Sequence, residues 1–160
     1  MKKRAAQRFA ERVRQRELGP DVQVIYRVAG GMPSQRVEYE IAVDSVAGAR
    51  VSVYEARTAR AVKGTSIPPE RLDVAGLFEE LSAGLHSLLP ASRPTFLPDA
   101  LVGSIAIRVG GDEETYYFVP EEEKRRGPGK AVAPSMNRAL QRFWSIAKGV
   151  TEARKESKHE

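Results

Sequence analysis

TFLPDALVGSIAIRVGGDEETYYFVP, residues 95–120, reads as a β-hairpin with an entry, a turn and an exit. Leu101, Ile105, Ile107 and Val109 alternate with Val102, Ser104, Ala106 and Arg108. A period of two puts the two sets on opposite faces of a strand. Gly110-Gly111-Asp112-Glu113-Glu114 follows, with glycines that tolerate positive φ and charges that favour water. That predicts a hairpin turn with a longer loop. Residues 115–119 are β-branched and aromatic, which suits a return strand. Pro120 ends it, because proline has no N–H for the ladder, and Pro98-Asp99 marks the turn that enters the hairpin.

Three more strands precede it. Val22, Val24, Tyr26 and Val28 alternate with Gln23, Ile25 and Arg27. After the turn Gly30-Gly31-Met32-Pro33-Ser34, the residues Val37, Tyr39, Ile41 and Val43 alternate with Arg36, Glu38, Glu40 and Asp44. A charged face of this kind belongs in water, as antiparallel sheets allow. A loop at Gly48 leads to a third strand over 51–55, and residues 57–69 read as a small, basic, turn-rich connector.

Helical spacing appears three times. Ala5, Phe9 and Val13 make a narrow stripe within residues 2–18, stopped by Gly19-Pro20. Val74, Leu77, Phe78, Leu81, Leu85, Leu88 and Leu89 make a broad one, with Asp73 as its cap and Pro90 as its end. Gly76 and Gly84 on this helix are expected to permit close approach to the sheet. Met136, Leu140, Phe143, Ala147 and Val150 make the last stripe, with Ser135 as the expected N-cap and residues 151–160 as a fraying charged tail. Residues 121–134 are a charged loop around Gly-Pro-Gly.

The expected fold is therefore α+β: an antiparallel sheet of about five strands with two helices packed on one face, plus a basic N-terminal helix. The organisation is a basic amphipathic helix over 1–19, a single domain over 20–150 and a charged tail over 151–160. One hundred and sixty residues suffice for one such core. The formal net charge of +5 is unevenly placed: +5 over residues 1–18, −3 over 19–133 and +3 over 134–160. The basic character belongs to the ends, which confines any nucleic-acid contact to Lys2, Lys3, Arg4, Arg8, Arg12, Arg14 and Arg16 on the N-terminal helix. A terminal helix docked through Phe9 is the other reading of that segment.

No cysteine is present, which excludes disulfides and thiolate metal sites and fits a cytoplasmic location. No apolar run reaches the roughly 20 residues that span a bilayer, and the basic start lacks the apolar segment of a secretory signal. His86 and His159 are the only histidines and form no H-x-x-x-H or H-E-x-x-H. No G-x-S-x-G, G-x-x-x-x-G-K-[ST] or G-x-G-x-x-G occurs. Asp112-Glu113-Glu114 and Glu121-Glu122-Glu123 read as solvated surface runs. Tyr116, Tyr117 and Phe118 cannot all share one strand face, and their neighbours are acidic, so core packing suits them better than base stacking. The sequence thus predicts no catalytic, cofactor or metal residue.

A strand running from Val24 into Gly30-Gly31, a helix before Pro98-Asp99, a hairpin and a last helix with aromatic residues together resemble emfourin. Emfourin-like proteins are small bacterial inhibitors of thermolysin-like metalloproteases. The resemblance covers residues 22–150. The third strand, the 57–69 connector, the 121–134 loop and the basic N-terminal helix depart from it. The resemblance implies a non-enzymatic protein-binding or regulatory module with a protein partner, in which Gly30, Gly31, Met32, Pro33 and Ser34 form the contact loop. The alternative is a nucleic-acid-associated protein acting through the basic helix.

Overall fold

A computed structural model describes residues 3–30, 38–54, 61–90, 101–120 and 132–157. The chain runs α1 (Ala5–Gln15), β1 (Val22–Gly30), β2 (Glu38–Asp44), β3 (Gly48–Tyr54), β4 (Ala61–Ile67), α2 (Val74–Gly84), β5 (Leu89–Pro90), β6 (Leu101–Val109), β7 (Asp112–Phe118) and α3 (Pro134–Ser157). All strand pairs are antiparallel, in the order β4-β3-β2-β1-β6-β7-β5. The architecture is α+β, as expected, with six long strands, a two-residue seventh and three helices among the described residues.

The alternation read from the sequence sets the buried face. Val24, Tyr26 and Val28 stand opposite Val43, Ile41 and Tyr39 on one side, and Tyr26 stands opposite Ile105 on the other. All of these are buried. Tyr26 is the largest fully buried side chain, and its ring lies 4.8 Å from Phe143 at 7°, 5.4 Å from Phe118 and 6.0 Å from Tyr39. One residue on the central strand thereby joins β1, β2, β7 and α3 through ring contacts (each about 0.5–1.5 kcal/mol beyond area burial). α1 is part of the same layer: Ala5, Phe9 and Val13 are buried, and Phe9 meets Phe78 of α2 edge-on at 5.4 Å. α2 and α3 are tied by Glu80, which accepts from Arg142 at 3.0 Å.

Several expectations are corrected. Residues 57–69 are not merely a connector, since 61–67 form β4 paired along β3, with a register shift at Val53/Tyr54. β4 lacks a run of large apolar residues because it is an edge strand. The hairpin turn is tight, not long: Val109 pairs with Asp112 across Gly110-Gly111, and Gly110 takes φ 62. Its acidic residues belong to β7. α2 ends at Gly84 and continues as a 3-10 turn, Leu85–Ser87. Gly84 permits close approach, but to α3 rather than to the sheet, since a Cβ there would lie 2.5 Å from Met136 Cβ and 2.6 Å from Met136 N. Gly76 faces the Asp73 cap, whose Oδ1 accepts its N–H at 3.0 Å. α3 begins at Pro134, which suits a first helical position and leaves Ser135 inside the helix rather than capping it. Its assigned span reaches Ser157.

Two core substitutions test this packing. Phe143→Ala should cost about 3–5 kcal/mol by loss of the ring and the cavity left behind. Gly84→Ala should cost about 1–3 kcal/mol by overpacking against Met136. Urea unfolding followed by circular dichroism reads both, and an unchanged midpoint for either would contradict the contacts of α3 with the sheet and with α2.

Candidate functional site

Of the basic residues read from the N-terminal segment, Lys2 lies outside the described residues. Lys3 donates to Glu11 Oε1 at 2.6 Å. Arg4 donates to Glu114 Oε2 at 2.6 Å, Arg8 to Asp112 Oδ2 at 2.5 Å, and Arg12 to both carboxylate oxygens of Asp21 at 2.9 Å. Register explains the first two carboxylates. Asp112 and Glu114 stand opposite Val109 and Ile107, so they share the helix-covered face of the sheet under α1. The expectation of a solvated run fails here: the Glu114 side chain is only 16% exposed, while Glu113 points to the other face. Arg14 and Arg16 are exposed and make no ion pair with a described residue.

Glu114 also works as a cap supplied from a distant strand. The first turn of α1 carries no acidic residue. The Ala6 N–H, one of the helix's unpaired donors, donates to Glu114 Oε1 at 3.3 Å, and the Tyr116 hydroxyl donates to Oε2 at 3.1 Å. Burial pushes the Glu114 carboxyl up, but Arg4, the Ala6 N–H and the Tyr116 hydroxyl outweigh burial and hold it below its ordinary value. Tyr116 is pushed up to about 12, by burial first and then by the Glu114 charge. Arg12 holds Asp21 below its ordinary value.

Among the described residues the opposite face of the sheet carries no helix. A shallow trough of about 580 Å³ runs along it over β1, β6 and β7. Its floor is made of short side chains, with Ala29, Ser104 and Ala106 beside Ile25. Arg27, Glu40, Glu113 and Tyr117 also line it. Arg108 crosses one end, donating to Glu113 Oε2 at 2.5 Å and to Gln23 Oε1 at 3.4 Å. Gly30 lines the trough as well; it pairs with Leu101 and takes φ 106, a conformation that L side chains avoid. Gly31, Met32, Pro33 and Ser34 lie outside the described residues. The aromatic triplet divides as alternation requires: Tyr116 and Phe118 are buried in the core, and Tyr117 lines the trough.

Sequence pattern marks Gly30 but not the trough. Ile25, Ser104 and Ala106 stand in the second set of each alternation. What alternation does not reveal is that all three helices choose the same side. His86 is exposed, on the turn after α2. Among the described residues no three His, Asp or Glu side chains converge as a metal site, and no helix is long and apolar enough to cross a membrane. No family model, curated protein or solved structure matches the chain.

The α1 clamp has a pH signature. Because the folded Glu114 carboxyl sits below its unfolded value, its contribution is complete above the ordinary carboxylate range and is lost as pH falls below about 4. Glu114→Gln should lower stability at neutral pH by about 1–2 kcal/mol and should narrow the difference from the native sequence on acidification. Denaturation midpoints between neutral and acid pH measure this, and a difference that stays constant with pH would contradict it.

Proposed function

We propose that this chain is a non-enzymatic protein-binding module, and in its sharpest form an inhibitor of a thermolysin-like metalloprotease resembling emfourin. The observation that supports the reading is the one-sided sheet. Among the described residues three helices cover one face, and the other carries a trough lined in part by Gly30, which precedes Gly31, Met32, Pro33 and Ser34 in the sequence. Short side chains in the trough let a partner's backbone or side chains approach closely, and the charges of Arg27, Glu40, Arg108 and Glu113 that line it give register. The segment that follows Gly30, with Met32 and Pro33, is the one that would enter a protease cleft.

The basic helix is the weaker surface for nucleic acid. Lys3, Arg4, Arg8 and Arg12 each already meet a carboxylate of this chain. Phosphates would have to displace those partners before any counterion release was gained.

Purified protein titrated against thermolysin-type enzymes tests the sharp form. Inhibition is expected, and the double substitution Met32→Ala/Pro33→Ala should weaken it at least about tenfold (about 1.4 kcal/mol). Full protease activity at large excess, across several such enzymes, would overturn it. Capture from native lysate with and without nuclease tests the broader form: protein partners should survive nuclease, and recovery that collapses with nuclease would overturn protein binding in favour of the helix.

A further inference from the structure

We propose that the open face of the sheet is a self-association surface, and that its occupant is a second copy of this chain packed face to face about a two-fold axis. This rests on the reading of the trough as a protein-binding face and deepens it: the occupant of the trough is a second copy, and protease contact is left to the residues that follow Gly30.

The register supplies the argument. The six long strands lie β4-β3-β2-β1-β6-β7, so the line between β2 and β1 has three on either side. Across that line one transverse row of the open face reads Gly64, Ser52, Glu40, Arg27, Ser104, Tyr117. A two-fold axis laid in the plane of the face, along the strands at that line, folds the row onto its own reverse. Arg27 then meets the partner's Glu40, and Glu40 meets the partner's Arg27, giving two reciprocal ion pairs beside the axis. Ser104 meets the partner's Ser52, where hydroxyls can donate and accept. Tyr117, the largest side chain of the row, meets the partner's Gly64, where the space beyond the backbone is empty within 4 Å.

The next row obeys the same operation. Ile25 meets the partner's Ala42 beside the axis, and Arg50 crosses to the partner's Ala106, on the floor of the trough. Large thus meets small in both rows, and plus meets minus in the first. Arg27 is exposed and makes no ion pair with a described residue, so its charge is open to such a contact. Size is sufficient for a weak, specific dimer. Six strands about 4.8 Å apart and five residues at about 3.4 Å each make a face of roughly 29 by 17 Å, which buries on the order of 1,000 Å² when two copies pair. Aligned sheets pack in this way, about 10 Å apart and within about 30° of parallel.

Light scattering on the purified chain, coupled to size-exclusion chromatography over a concentration series, is the test. The native sequence should shift from monomer to dimer as concentration rises. Arg27→Glu and Glu40→Arg should each be monomeric throughout, because each replaces two attractions by two repulsions. An equimolar mixture of the two variants should restore the dimer, since one variant then carries carboxylates at both positions and the other guanidiniums at both. The swap Arg27→Glu/Glu40→Arg in one chain should restore it also. Circular dichroism and the unfolding midpoint confirm that each variant is folded, which is expected for positions outside the core. A native chain that stays monomeric at every concentration overturns the proposal, and so does a dimer that survives Arg27→Glu. Both readouts use the pure chain, so they do not depend on protease inhibition. Monomeric Arg27→Glu that still inhibits a protease would separate the two surfaces.

Discussion

The fold turns on the ring of Tyr26. It sits on the central strand at 1% exposure, flanked by Phe118 and Tyr39 and closed from above by Phe143. A side chain of that size on β1 commits one face of the sheet to burial. Its neighbours in register, Ile41 and Ile105, extend the same apolar surface on both sides. The helices must then collect on that face, because each carries an apolar stripe that has nowhere else to go. The bare opposite face is the geometric consequence.

Charge follows the same logic. The chain's basic ends and mildly acidic middle read, in sequence, as a reason to look for an outside polyanion. In the structure much of that imbalance is internal. Asp112 and Glu114 are acidic on a helix-covered edge because Arg8 and Arg4 lie above them, and Asp21 answers Arg12. Such pairs contribute modestly where they are exposed. Glu114 matters more, because it is mostly buried and also satisfies a helix-end N–H that no residue of α1 satisfies. Burial of Ala5, Phe9 and Val13 is the apolar part of the docking, with Phe9 against Phe78, and the Asp112 and Glu114 carboxylates tie the helix to β7.

Period-two alternation suffices to find β1, β2, β6 and β7 and to assign their faces, since one face of each is apolar. It does not suffice for β4, whose composition is that of a loop and which exists because β3 offers it a ladder. Local turn chemistry marks the Gly110-Gly111 reversal but not its length; Asp112 and Glu113 look like loop residues until α1 and Arg108 are in place. Helix spacing carries α2 past Gly84 because Leu85 and Leu88 continue the stripe, although the chain tightens to a 3-10 turn there while keeping both buried. The contact of Gly84 with Met136 joins α2 to α3 across a long stretch of chain and has no local signal. The candidate surface is the least legible feature, because an open face is defined by what the helices leave uncovered.

That open face differs from an ordinary solvated one. A sheet surface meant only for water commonly carries long polar side chains at its centre. Here Ala42, Ile25, Ser104 and Ala106 stand among the central positions, and the central charges Arg27 and Glu40 face each other across β1 and β2. The edges, by contrast, are poorly suited to pairing with another chain. β4 contains Gly64 and runs into Pro68-Pro69, and β5 is two residues long and includes Pro90. Short strands and prolines are the usual means by which a sheet resists extension along its edge. With the edges blunted and one face already covered, the remaining direction for a close protein contact is perpendicular to the sheet, onto the short side chains of β1, β2 and β6.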